Sequence, residues 1–385
     1  MKKVIIVGAS YAGLYAAKSL LKNKEIEVQI FDKNKYHYIQ VESYRFVASK
    51  DHISDVTIDI EEYISKLDGN IQFHKNEVSF FSSESKSITT ADNQSFSYDY
   101  LIIATGSLTN FPIQVPNIEK YAKCVKNLQS ASQINQSFGS ILNQLTLEQN
   151  KGNTKAYNIA IGGAGLSGVE IAAEMAVYLK DKLNKQKTLE KININIIDGM
   201  PTVLPNMDER LVNACKKRLE ILGINLHLGS FIKDVDEKNI YLMNNEVIQY
   251  DYFIFTGGIK AITLNSNKEY EVNKLNQYVV DEYFHLQGEE EIFAIGDSSQ
   301  IMIDDKYMPP SAQIAIKSGE YVASYIKNKI NYIPSDRFAF KPNGVLISLG
   351  GNYAIGVVKE KLFIKGGLAH LTKNIVTSLH KRNFL

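Results

Sequence analysis

One local pattern occurs twice in this 385-residue chain, and it restricts the fold more than any other feature. Val4 to Val7 is an all-apolar run that leads into GASYAG, a helical stretch to about Lys22, and then Val28 to Phe31 closed by Asp32. Tyr157 to Ile161 leads into GGAGLSG, a helical stretch to about Asn184, and then Ile192 to Ile197 closed by Asp198. A strand rich in β-branched residues followed by clustered glycines and a helix is a βαβ opening, and such an opening begins a doubly wound parallel sheet.

The expected fold class is therefore α/β, with two Rossmann-like doubly wound domains and a short C-terminal domain. The repeat extends further down each half, since DYFIFTGG at Asp251 to Gly258 mirrors DYLIIATG at Asp99 to Gly106. Between the halves, Leu128, Ala131, Ile134, Phe138, Ile141 and Leu145 fall at helical spacing. The polar stretch Gln149 to Thr154 follows as a loop. IFAIGD at Ile292 to Asp297 looks like a last strand of the first sheet, so the second sheet is inserted within the first domain, with crossings near Pro116 and Asn265. This gives a discontinuous domain over 1–115 and 265–330, an inserted domain over 116–264, and a C-terminal segment over 331–385.

The glycine clusters carry the chemistry. Gly163, Gly165 and Gly168 fit G-x-G-x-x-G directly between a strand and a helix. One glycine there allows the tight turn, one lets the backbone approach a pyrophosphate, and one lets helix and strand pack closely. The pyrophosphate then sits on the helix N-terminus, whose unpaired N–H groups favour negative charge. The plainer alternative is a glycine-rich structural turn. In the first copy Gly8 and Gly13 hold the outer positions and Ser10 the middle one, where a small hydroxyl can donate to a phosphate. Asp32 and Asp198 end the next strands, where a carboxylate can accept both ribose hydroxyls; the alternative is a solvated turn aspartate. A carboxylate at Asp198 repels a 2′-phosphate, which favours NADH over NADPH.

The rest of the composition narrows the function classes. Lys plus Arg number 43 against 42 Asp plus Glu, so no chain-wide basic field exists to hold a nucleic acid. Cys124 and Cys215 lack partners at metal-ligand spacing, so neither a disulfide framework nor a metal site is expected. The opening MKKVIIVGASYAGLYAA reads as strand, turn and helix rather than a signal peptide, and no apolar run reaches the roughly 18 residues of a spanning helix. A reduced, cytoplasmic setting follows as the expectation.

GASYAG, ATG at Ala104 to Gly106, GGAGLSGVE at Gly162 to Glu170 and IGD at Ile295 to Asp297 together resemble the two-dinucleotide flavoprotein superfamily. Within it, PPSAQIA at Pro309 to Ala315 and NGVLISLGGNYAIG at Asn343 to Gly356 resemble the type II NADH dehydrogenases, single-chain NADH:quinone oxidoreductases, over nearly the whole chain. The resemblance implies FAD in the discontinuous domain, NADH in the inserted one, and reactive rings stacked where they meet. It places Gly8, Ser10, Tyr11, Ala12, Gly13, Asp32 and Lys33 at the adenosine diphosphate half of FAD, and Thr105 and Gly106 nearby. Gly296 and Asp297 fall at the ribityl chain, although an aspartate there could instead cap a helix. Gly163, Gly165, Leu166, Gly168, Asp198, Gly257 and Gly258 fall to NADH.

Pro309 and Pro310 before Ser311 mark a helix start, with Ser311 as N-cap and the helix running to about Lys327. By resemblance its N-terminus, with Ala312 and Gln313, points at the flavin, where the partial positive charge would stabilise a reduced, anionic ring. Gln313 and Glu170 are the candidate catalytic residues, Glu170 close to nicotinamide and flavin and able to relay protons. Each has a plain alternative, Gln313 as an ordinary first-turn residue and Glu170 as an acid favoured by the helix dipole. Glu174, one turn on, is expected on a solvated face.

The segment Val41-Glu42-Ser43-Tyr44-Arg45 offers no redox cysteine, so electrons must leave the flavin directly, and it departs from the family's proline and apolar residues on the acceptor side. Lys359, Lys361, Lys365, Lys373, Lys381 and Arg382 against Glu360 give Val357 to Leu385 a charge of +5. Leu368, Leu371, Ile375 and Leu379 share one helical face there. This resembles a helix lying on anionic lipid at the inner face of the cell membrane; the alternatives are packing on the protein with solvated lysines, or a homodimer contact. The expected activity is hydride transfer from NADH to FAD and two-electron transfer to a quinone. Reduction of a ferredoxin-like protein, or a redox-responsive complex with little turnover, stand as alternatives.

Overall fold

A computed structural model of the chain describes residues 1–150, 156–183, 192–359 and 361–384. It divides into two compact units, one of Met1–Tyr38, Thr57–Leu108 and Ile259–Lys341, the other of Ile39–Val56, Thr109–Gly258 and Pro342–Leu385. The chain passes between them after residues 38, 56, 108, 258 and 341; the crossings at 108 and 258 lie a few residues ahead of Pro116 and Asn265.

The first unit is built on a parallel sheet in the order Ile292–Ala294, Tyr100–Ile103, Lys2–Val7, Ile26–Asp32, Ile71–Lys75. Ile292–Ala294 is an edge strand of this sheet, as IFAIGD suggests. Strands buried on both faces read as continuous apolar runs, and Ile5, Val7, Phe31, Leu101, Ile103 and Ile292 form one cluster beneath the sheet. Helix Tyr11–Leu20 follows the first strand and ends two residues short of Lys22, while Ala312–Ile330 runs past Lys327.

The second unit repeats the plan. Its parallel sheet has the order Lys123–Cys124, Tyr252–Phe255, Tyr157–Gly162, Ile192–Asp198, Asn225–Leu228. Helix Leu166–Leu183 follows the glycine turn; Asn184 lies outside the described residues. Helix Leu128–Asn150 buries Leu128, Ala131, Ile134, Phe138 and Ile141. The polar stretch expected as a loop begins inside this helix at Gln149 and Asn150, and 151–154 lie outside the described residues.

The mirrored DY motifs do the same work in both sheets. Lys3 N–H donates to the Asp99 carboxylate at 2.8 Å and receives the Asp99 N–H on its carbonyl at 2.9 Å. Asn158 and Asp251 exchange the same two bonds, each 2.8 Å. The C-terminal part is an antiparallel meander, Gly344–Ser348, Ala354–Val358 and Leu362–Gly366, followed by helix Gly367–Arg382. It belongs to the second unit, where Arg218 donates to the Leu349 carbonyl at 3.0 Å and Arg210 to that of Lys361 at 3.1 Å.

Candidate functional site

Each glycine turn is as tight as its pattern requires. Gly8 has φ +111°, and a Cβ on it would stand 2.1 Å from the Ala104 carbonyl oxygen; one on Gly13 would stand 1.9 Å from that of Gly8. Gly163 has φ +115°, and a Cβ on Gly168 would stand 1.9 Å from the Gly163 oxygen. Gly165, the middle position, has nothing within 4 Å of where its Cβ would be. Gly8, Gly13, Gly163 and Gly168 thus need to be glycine for the protein's own backbone and packing, whereas Gly165 is open toward whatever the turn binds.

The two acids latch the turns. Asp32 Oδ2 accepts the Ala9 N–H at 2.8 Å and Oδ1 that of Asn34 at 2.8 Å. Asp198 repeats this on Ala164 at 2.6 Å and Met200 at 2.8 Å. Burial raises the Asp32 pKa against these bonds, which lower it. A carboxylate oxygen has a second lone pair, so each acid grips its turn and still offers acceptors to a ribose. Tight turn, helix N-terminus and gripped acid are features a dinucleotide requires, and both units have them; the middle position is open at Gly165 in the second unit and carries Ser10 in the first.

Around the first turn, Tyr11 and Ala12 are buried and Ser10 Oγ lies 3.2 Å from His37 Nδ1. Lys33 is exposed, 3.5 Å from Glu77. The Thr105 hydroxyl donates to the Ile262 carbonyl at 2.5 Å, Gly106 N–H to Ser298 Oγ at 2.9 Å, and Ser107 to Asp297 Oδ2 at 2.5 Å. Gly296, at φ +64°, opens the short 3-10 turn Gly296–Ser298, so Asp297 sits within that turn and caps no long helix. Ser311 caps helix Ala312–Ile330, accepting the Ile314 N–H at 3.3 Å, with Ala312 half-buried and Gln313 exposed on the first turn. In the second unit Leu166 is exposed, Gly258 has φ +99° with open space around it, and Gly257 faces the Phe255 ring.

Glu170 lies in a buried polar cluster of the second unit. Its Oε1 accepts the Ser348 N–H at 2.8 Å and pairs with Lys373, both side chains close to nine-tenths buried. Lys373 Nζ also lies 4.4 Å from the Tyr44 ring centroid. Glu42, likewise buried, accepts from Thr377 at 3.0 Å. Burial pushes its pKa up, with Lys373 the chief opposing influence, and burial also pushes the Tyr44 phenol up. Glu174 corrects the sequence reading: it is 1% exposed and paired with Lys50 at 2.5 Å, so it lies inside the unit and not on a solvated face. Lys373 is no solvated lysine either, and it is Leu368, Leu371, Ile375 and Leu379 that face outward, each more than half exposed.

His37, Ser298 and Lys50 carry no signal in the sequence, and Lys373 is read there only as one of the basic residues of the C-terminal tail. Their partners lie far along the chain and no local pattern marks them. Both cysteines are free, Cys124 on strand Lys123–Cys124 and Cys215 buried in helix Glu209–Ile221, where burial pushes its thiol up to about 12.

Two parallel sheets, each ending in a glycine turn gripped by its own acid, define an α/β protein that binds two dinucleotides. The model of the pyridine nucleotide-disulphide oxidoreductase family matches residues 2–319. The chain belongs to that family. A protein of Staphylococcus saprophyticus named type II NADH:quinone oxidoreductase is 27% identical over 384 residues, covering 97% of this chain and 94% of the relative. One of Staphylococcus aureus with the same name is 26% identical at the same coverage. Among solved structures, NDH2 of Plasmodium falciparum in complex with NADH matches with TM-score 0.85 at 22% identity, covering 98% of this chain and 94% of that one. The sulfide:quinone oxidoreductase of Aquifex aeolicus matches with TM-score 0.81 at 16% identity, covering 100% of this chain and 91% of that one.

Proposed function

We propose that the protein is an FAD-dependent NADH:quinone oxidoreductase, with FAD on the first unit and NADH on the second. The observation that carries this reading is the acid-latched glycine turn present once in each unit. The end-to-end similarity to two named type II NADH:quinone oxidoreductases supports the choice of acceptor. When bound, FAD takes a hydride from NADH and passes two electrons to a quinone.

Gly8, Ser10, Tyr11, Ala12, Gly13, Asp32 and Lys33 would bind the adenosine diphosphate half of FAD, with Thr105, Gly106, Gly296 and Asp297 along the remainder. Ser311 already satisfies one amide of helix Ala312–Ile330, and the others, with Ala312 and Gln313, would set the positive helix end toward developing negative charge. Gly163, Gly165, Leu166, Gly168, Asp198, Gly257 and Gly258 would orient NADH, Asp198 by accepting ribose hydroxyls. Glu170 would help relay protons to the quinone, its carboxylate kept in one orientation by Ser348 N–H and Lys373.

No described helix is long and apolar enough to cross a membrane. The outward apolar face of Gly367–Arg382, with Lys381 and Arg382 near its end, would instead lie on an anionic lipid surface. The test is anaerobic NADH addition to the FAD-loaded protein followed by a quinone panel, with and without anionic vesicles. Rapid bleaching of the flavin and reoxidation by quinones is expected. Bound FAD that NADH does not bleach refutes the reading. Binding to vesicles should be lost in Leu371→Asp; a variant that instead changes only the oligomeric state would assign the face to a second copy.

A further inference from the structure

Ser10 breaks the glycine pattern, and its surroundings give the substitution a role. It is the N-cap residue of helix Tyr11–Leu20, with extended backbone at φ −115° and ψ −157°. A serine in that place ordinarily turns its oxygen back onto an amide of the first helical turn, as Ser311 does on Ile314. Ser10 makes no such bond. Its Oγ lies 3.2 Å from His37 Nδ1 instead, so the hydroxyl is not spent on capping the turn.

His37 is held firmly. It is 1% exposed, its backbone pairs with that of Ile58, and its ring stands edge-on against Tyr11 with centroids 4.6 Å apart. A hydroxyl has one proton and two lone pairs, so its use depends on which of the two groups donates. If Ser10 gave its proton to the imidazole, it would present only lone pairs to a diphosphate and repel it. With the proton on Nδ1, the ring donates to Oγ and the hydroxyl proton is released toward the turn. Donors chained in this way polarise one another, and the last bond, to an anion, is of the stronger charge-assisted kind.

We propose that His37 is a positioning residue for the FAD diphosphate: its Nδ1–H donates to Ser10 Oγ, and the Ser10 hydroxyl donates to a diphosphate oxygen. This rests on the first unit being the FAD unit, as argued above. The hydroxyl thus replaces the close backbone approach that a middle glycine allows in the second copy, where Gly165 stands open.

The experiment titrates the full-length apoprotein with FAD, ADP and adenosine, followed by flavin fluorescence or calorimetry. Ser10→Ala should weaken FAD and ADP about ten- to a hundredfold and leave adenosine, which has no phosphate, unchanged. His37→Leu should reproduce that loss, the double variant should be no weaker than Ser10→Ala alone, and His37→Asn, whose amide can donate to Oγ, should recover most of it. Nitrogen-15 NMR of the FAD-loaded protein should find His37 protonated on Nδ1. Unchanged FAD affinity in Ser10→Ala, or a bare Nδ1 in the loaded protein, overturns the proposal while leaving the FAD unit in place. A wild-type apoprotein that takes up no FAD or ADP overturns both.

Discussion

Lys373→Met removes the cation that Glu170 and Glu42 share inside the second unit. The Glu170 and Lys373 side chains are only 12% and 11% exposed, so this is a buried pair rather than a surface one. Removing one partner of such a pair costs about 3–5 kcal/mol, because the other charge stays buried. Loss of the contact with the Tyr44 ring adds roughly 0.5–1 kcal/mol, while methionine keeps the aliphatic packing. The expected destabilisation is therefore about 4 kcal/mol at pH 8. Its pH dependence follows from Glu42, whose pKa burial already raises and Lys373 opposes. A carboxyl raised in the folded state contributes stability that is complete below its unfolded pKa and lost as pH rises through its folded pKa. Without Lys373 that loss deepens, so the deficit should be larger at pH 8 than at pH 5. Urea unfolding of the full chain at both pH values measures it. Glu170→Gln added to Lys373→Met should recover about 2 kcal/mol by removing the stranded charge. A deficit under about 1 kcal/mol, or one equal at both pH values, would refute the buried-pair account.

The two glycine positions of the second turn should separate packing from binding. Gly168→Ala drives a Cβ into the Gly163 carbonyl and should impair both folding and NADH binding, whereas Gly165→Ala should leave the melting temperature unchanged and raise KM for NADH at least about tenfold. Asp198→Asn keeps an acceptor for the Ala164 amide but removes the charge; the ratio of kcat/KM for NADH to that for NADPH should fall by about tenfold or more, and an unchanged ratio would exclude Asp198 from the ribose site. With the Cys215 thiol pushed up to about 12 by burial, the folded protein at pH 8 should titrate with one equivalent of a thiol reagent, at Cys124, and with two in denaturant.

The sheets were legible because their signals are local. Four apolar residues and a glycine turn are contiguous, the closing acid follows one helix and one strand later, and the repeat of the DY motif ties Asp99 and Asp251 to equivalent places. Glu174 was misjudged for the opposite reason. Helical spacing one turn from Glu170 says which face the side chain occupies, but the lysine that covers it, Lys50, lies 124 residues away in sequence. The C-terminal helix shows the same limit. Its periodicity identified a leucine face, yet a period of 3.6 cannot say whether that face turns inward, and here the lysine is buried while the leucines are exposed. His37 carried no signal either, since a lone histidine on a short strand looks like any core residue until Ser10 is placed beside it.

The grip of Asp198 on its own turn has an evolutionary consequence. One side chain holds the shape of the loop through bonds to the Ala164 and Met200 amides, and under the proposed function the same side chain would set the choice between nucleotides. A lineage shifting toward a phosphorylated cofactor could not simply swap the acid for a base, because the backbone would lose its anchor in the same step. Any such shift would need a second change that re-ties the loop first, which would make a preference set by Asp198 hard to reverse.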